Sequence, residues 1–238
     1  MVINKEKKVV VLQSNYLPWK GYFDLIRSAD LFVFYDDVQF TKNDWRNRNK
    51  IKTPKGTEWI SIPCGTNLKR LINEVKIKDG SWQADHWNRL NLHYSKAEYF
   101  SLYKDFFEDF YLRRKWKNLS ELNQYLIFNI ARRFLGLSAE FQNSKDYTLS
   151  GKSMDRLLDL LKKVGATRYI SGPSAKEYIS EESFIKTNIE LTWMDYSNYP
   201  EYRQQFPPFA HNVSIVDLLF NEGPHAIHYL SSAQLTKS

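Results

Sequence analysis

The sequence predicts an α/β fold: a Rossmann-like open parallel sheet with a β-hairpin flap and an inserted or appended helical block. Three observations lead there. Short apolar runs of the kind that buried parallel strands need recur along the chain, first at Val9–Leu12 and Leu31–Tyr35. Amphipathic helical runs separate several of them. From Ser81 to about Leu137 the periodicity is helical throughout. No internal repeat or low-complexity tract interrupts the 238 residues, a length that suits one α/β domain over 1–238 with 81–137 as a helical subdomain.

Taken in order, Val9–Leu12 reads as the first strand, followed by a polar loop containing Pro18 and Gly21. Phe23, Leu25, Ile26 and Ala29 then fall on or beside one helical face, and Leu31–Tyr35 is the partner strand. Ile51–Pro63 has the form of a hairpin turning at Pro54-Lys55-Gly56. The segment from Leu68 ends in a short alternating strand around Val75–Ile77 and stops at Asp79-Gly80. Helices are expected over Trp82–Ser95, Glu98–Trp116 and Ser120–Leu135, the last capped by Gly136. Ala139–Gln142 is a strand, Lys152–Val164 a helix, Arg168–Ile170 a strand and Ile189–Trp193 the final clear strand. Ser214 and Asp217 form a capping box for a helix that runs through Phe220 to Gly223. Disorder is expected only at Met1–Lys7 and Ser231–Ser238.

A net charge of +7 favours an anionic partner such as a phosphate, a nucleotide or RNA. No apolar run approaches the roughly 20 residues of a membrane span, and the basic start lacks the apolar core of a signal peptide, so a cytoplasmic protein is expected. The single cysteine, Cys64, excludes an internal disulfide and reads as packing. His86 and His93 lie about two helical turns apart without a carboxylate at ligand spacing, so no metal site is assigned.

The candidate site follows from where the polar residues fall. In an open α/β sheet the crevice lies beyond the carboxyl ends of the strands. One strand end carries Gln13, Asn15 and Tyr16; the other carries Asp36, Asp37 and Gln39. Each cluster alone also suits an ordinary turn, but both at one edge point to a site. Arg46, Arg48 and Lys50 alternate with Asn47 and Asn49, so an extended segment would present three cations on one face, able to grip a pyrophosphate. The same row also suits a charge-guarded edge strand. Ser171, Gly172, Ser174 and Lys176 form a small-residue turn into a helix whose free amides could bind an anion, or a plain connection. His211, in a polar loop, is the candidate general acid or base beside Asp36 and Asp37.

The blocks Gln13–Phe23, Phe34–Phe40, Trp45–Arg48, Tyr169–Pro173 and Val213–Gly223 together resemble the WbqC-like family, over nearly the whole chain. That resemblance implies a bacterial protein of surface-polysaccharide, particularly O-antigen, gene clusters. A more distant likeness is to nucleotidyltransferases and pantothenate-synthetase-like ligases, in which Trp19-Lys20-Gly21-Tyr22 takes the place of His-x-Gly-His. Trp19 and Tyr22 cannot supply the imidazolium of those enzymes, so the fold is implied more strongly than adenylyl transfer.

Three functions compete. The first is a transferase placing an acyl or aminoacyl group on a nucleotide-linked amino sugar, with Trp19 and Tyr22 stacking, Arg46 and Arg48 on the pyrophosphate, and charged tRNA as one conceivable donor. The second is a ligase or nucleotidyltransferase using Mg-ATP. The third is an RNA- or anion-binding module without catalysis.

Overall fold

A computed structural model of the chain describes residues 6–77, 79–230 and 235–237. Five parallel strands form the sheet: β1 (Lys8–Leu12), β2 (Leu31–Phe34), β5 (Glu140–Asn143), β6 (Arg168–Ser171) and β7 (Glu190–Met194). The spatial order is β5-β2-β1-β6-β7-β8, with β8 (Leu235–Lys237) antiparallel to β7. The chain winds one way from β1 through β2 to β5 and the other way from β6 to β7. The order therefore reverses between β1 and β6, the kind of point at which such sheets open a ligand crevice.

β1 and β2 are buried on both faces, which is why they read as continuous apolar runs, whereas the edge strand β5 is polar and only partly buried. Val10, Phe32 and Phe34 point into one core, with α1 (Lys20–Ser28) and α7 (Ile215–Glu222); Val9, Val11, Leu31 and Val33 point into the other, against Leu157, Leu160 and Leu161 of α5 (Ser153–Lys163). The alternation places α1 and α5 on opposite faces of the sheet.

The crossover from β2 to β5 carries everything else of size. It begins with the hairpin of β3 (Arg48–Thr53) and β4 (Gly56–Ser61), whose register pairs Lys50 with Trp59. Buried Ile51 and Ile60 join the hairpin to the α1-side core. The Asn49 amide fastens it further by donating to the carbonyls of Tyr16 and Leu17 at 3.1 and 2.7 Å. The helices α2 (Ser81–Tyr94), α3 (Phe100–Glu108) and α4 (Leu119–Asn129) follow in the region predicted to be helical. α3 and α4 end in wider π-helical turns, Asp109–Arg113 and Ile130–Phe134, so the α-helical segments are shorter than their periodicity suggested.

Two details depart from expectation. The stretch before Asp79 forms a 3-10 turn, Ile72–Glu74, and isolated bridges from Leu71 to Gln39 and from Lys76 to Asn118 in place of a strand. The turn after β6 is a 3-10 helix, Pro173–Glu177, ahead of the short α6 (Glu181–Ile185). Most of the termini expected to be disordered lie outside the described residues; β8 falls within the C-terminal stretch.

Candidate functional site

A cavity of about 1370 Å³ opens where β1, β2 and β6 end. Gln13 and Asn15 enter it after β1, Tyr35, Asp37 and Gln39 after β2, and Ser171, Gly172 and Ser174 at the end of β6. Trp19 and Tyr22 come from the start of α1, and Arg46 from the turn before β3. The reversal of strand order, together with the loops it leaves free, brings these separate segments to one hollow.

Asp37 is its principal carboxylate. Arg156, in α5, donates from Nη2 to Oδ2 at 2.7 Å, and Ser144 Oγ donates to Oδ1. Burial pushes the Asp37 carboxyl up, but the hydrogen bonds from Arg156 and Ser144 and the Arg156 charge outweigh burial and hold it below the usual carboxylate value. Asp37 is thus a fixed negative charge. The Arg156 guanidinium also lies 5.3 Å from the centre of the Tyr35 ring.

Aromatic rings form much of the wall. Trp19 meets Tyr196 edge-on at 5.0 Å, and Tyr22, Tyr169 and Tyr178 add further surface. Burial raises the phenols of Tyr22, Tyr35 and Tyr196, which therefore remain protonated hydrogen-bond donors at neutral pH. Gly21 serves this wall from behind: a Cβ there would stand 2.3 Å from the Trp19 ring. Arg46 pairs with Asp44 at 3.0 Å. Its Nε, like Asn15 Oδ1, is buried with no hydrogen-bond partner among the described residues, and both residues line the cavity. Buried polar atoms without partners are costly.

Several predicted residues fall elsewhere. Asp36 turns away from the cavity, accepting from Ser14 N at 2.7 Å, from Ser120 Oγ and from Gln124 Nε2 at 3.0 Å; it ties the β1 loop to α4. Tyr16 is fully buried, its hydroxyl bonded to His86 Nδ1 at 2.8 Å and to Tyr111. Gly21 lies under Trp19 and out of reach of a ligand. Asn47 donates to the Ile62 carbonyl at 2.9 Å, and Arg48 lies 4.2 Å from the Trp59 ring. The alternation argument fails at Arg46, which precedes the strand in a turn, so the three cations do not form one row. Lys176 is exposed and sits 5.4 Å from the Trp193 ring. The exposed His211 packs on Phe209 at 4.6 Å; its neighbour Asn212 reaches the cavity instead.

Other lining residues escaped the sequence reading. Arg156 lies in α5 and Gly151-Lys152-Ser153 lead into it, a segment that read only as a helix over Lys152–Val164. Tyr178 and Tyr196 carried no local signal beyond aromatic character, and Trp45 stood out only within the Trp45–Arg48 block. Asp217 read as a cap, yet its buried carboxylate accepts from Tyr202 at 2.6 Å and Tyr94 at 2.9 Å; Ser214 alone caps α7.

Among the described residues, no three His, Cys, Asp or Glu side chains gather as a metal-binding group, and no helix is long and apolar enough to cross a membrane. No solved structure matches the chain. An uncharacterized protein of Mycobacterium tuberculosis (strain ATCC 25618 / H37Rv), Rv1507c, is 44% identical over 226 residues, covering 94% of this chain and 97% of that protein. The model of the WbqC-like protein family matches residues 13–229, a span that takes in the β1 loop, the hairpin, the helical block and the β6 turn together. The chain therefore belongs to the WbqC-like protein family.

Proposed function

We propose that the protein is a transferase of bacterial surface-polysaccharide biosynthesis that places an acyl or aminoacyl group on a nucleotide-linked amino sugar. The observation that carries this reading is the composition of the cavity: an aromatic wall, a fixed carboxylate and the orphaned polar atoms of Arg46 and Asn15 in about 1370 Å³. Sites for one small ligand usually hold roughly 300–1,000 Å³. The larger volume suits a sugar nucleotide and a donor together.

In this reading Asp37 accepts a hydrogen bond from the substrate amine and orients it, while Arg156 keeps Asp37 ionised. The amine forms its bond to the acyl carbon, the acyl–donor bond breaks, and the amine proton passes to the departing donor group. Protonated tyrosines line the path and can donate to the acyl oxygen as charge develops there. His211 and Asp36 have no part in these steps.

Adenylyl transfer is less well supported. Lys20, the cation nearest the His-x-Gly-His position, donates to the Pro200 carbonyl at 2.9 Å and is buried among Tyr199, Tyr202 and Phe209. Asp36 and Asp37 engage different partners, so the pair does not converge on one metal.

The test is incubation of the purified protein with amino-sugar nucleotides and activated acyl or aminoacyl donors, followed by mass spectrometry. A product heavier by the acyl group is expected, and Asp37→Asn should abolish it. Pyrophosphate release from Mg-ATP without acyl transfer would assign the ligase reaction instead.

A further inference from the structure

Two tryptophans remain substantially exposed on the hairpin side of the cavity, Trp45 at 41% and Trp59 at 37%. Their ring centres are 5.3 Å apart at 38°. Arg48 lies 4.2 Å and Lys50 5.0 Å from the Trp59 ring, so cations hold Trp59 and Trp59 braces Trp45. Trp45 is the one of the two that lines the cavity. Its backbone is fixed as well: its N–H donates to Asp44 Oδ1 at 2.6 Å and its carbonyl accepts from Tyr16 N at 2.9 Å. Lys50 and Arg46 line the cavity beside it.

We propose that Trp45, braced by Trp59, is the base-stacking platform of a nucleoside-diphosphate subsite, with Lys50 and Arg46 receiving the phosphates. This deepens the nucleotide-linked-sugar reading and rests on it. A base has an apolar face that any exposed indole can cover, and the diphosphate beside it demands cations within a few ångströms. Arg46 lines the cavity with Nη1 paired to Asp44 at 3.0 Å, and a guanidinium carries further N–H donors beyond that pair. The same patch fits a nucleic-acid strand poorly. The carboxylates of Asp44 and Glu58 interrupt the cations, whereas strand binding draws on a run of phosphate contacts.

Binding of ADP, CDP, GDP, UDP and dTDP, measured by calorimetry and tryptophan fluorescence, tests the assignment alongside inorganic pyrophosphate. At least one nucleotide should bind and quench the fluorescence. Trp45→Ala should weaken that nucleotide about tenfold while leaving pyrophosphate affinity unchanged. Trp45→Phe, which keeps an aromatic face, should restore most of the loss, and Lys50→Ala should weaken nucleotide and pyrophosphate alike. Equal nucleotide affinity in wild type, Trp45→Ala and Trp59→Ala would overturn the subsite and leave the transferase reading standing. Failure of all five nucleotides to bind wild type would remove both. An RNA oligonucleotide ending in CCA that binds more tightly than any nucleotide, and loses that advantage in Trp45→Ala, would also overturn it.

Discussion

Arg156 holds Asp37 through a 2.7 Å charge-assisted hydrogen bond that joins the end of β2 to the first turns of α5, two elements separated in sequence by the hairpin and the helical block. The bond sets both the charge and the direction of the cavity's principal carboxylate. Removing either partner therefore has consequences for stability and for binding.

Asp37→Asn should lower stability at neutral pH by about 1 kcal/mol, the usual net size of a charge-assisted pair with partial exposure. Because the folded carboxyl is held below its ordinary value, its contribution is complete above about pH 4 and is lost as pH falls through the lower folded value. Urea denaturation of wild type and Asp37→Asn at pH 7 and pH 3 should show their difference shrinking at the acid end.

Lys20 gives a slope of the same sign at the alkaline end. Burial lowers its ammonium to about 8, against attraction from Asp24 and Glu201. Between about pH 8 and the ordinary lysine value near 10.4, the unfolded chain binds more protons than the folded one, so stability rises with pH there. Lys20→Met should flatten that rise; unchanged slopes in denaturation series between pH 7.5 and 10 would count against burial as its cause.

Gly21→Ala should destabilise the protein by roughly 1–3 kcal/mol, because the new methyl overlaps the Trp19 ring and the loop or ring must move. Near-ultraviolet circular dichroism should change with it, since Trp19 packs on Tyr196 and Tyr199.

Tyr202→Phe leaves the buried Asp217 carboxylate without one of its donors, and the expected cost is about 1–3 kcal/mol. A lowered denaturation midpoint, with nucleotide affinity retained, would assign the network to holding the loop before α7 against the hairpin and α2.

His211→Ala separates geometry from residue type. The ring is exposed and outside the cavity, so acyl transfer should be unchanged. Asp36→Asn should instead lower stability, since Asp36 gathers Ser14, Ser120 and Gln124.

What the amino-acid sequence determines by itself is whatever depends on neighbours in the chain. The apolar runs at Val9–Leu12 and Leu31–Tyr35 specify doubly buried strands, and the Pro54-Lys55-Gly56 turn specifies the hairpin. The same periodicity marks the helical region, and the strand-end positions of Gln13, Asn15, Asp37 and Ser171 mark the crevice edge. What only the tertiary structure decided is which of two adjacent polar residues faces the cavity. Asp36 and Asp37 are equivalent as a sequence pair, yet α4 takes one carboxylate and α5 orients the other. Arg156 and Tyr196 join the site because the sheet order reverses between β1 and β6, bringing distant loops to one edge. The periodicity of a helix reports which face is buried, but not which distant side chain its first turn will meet.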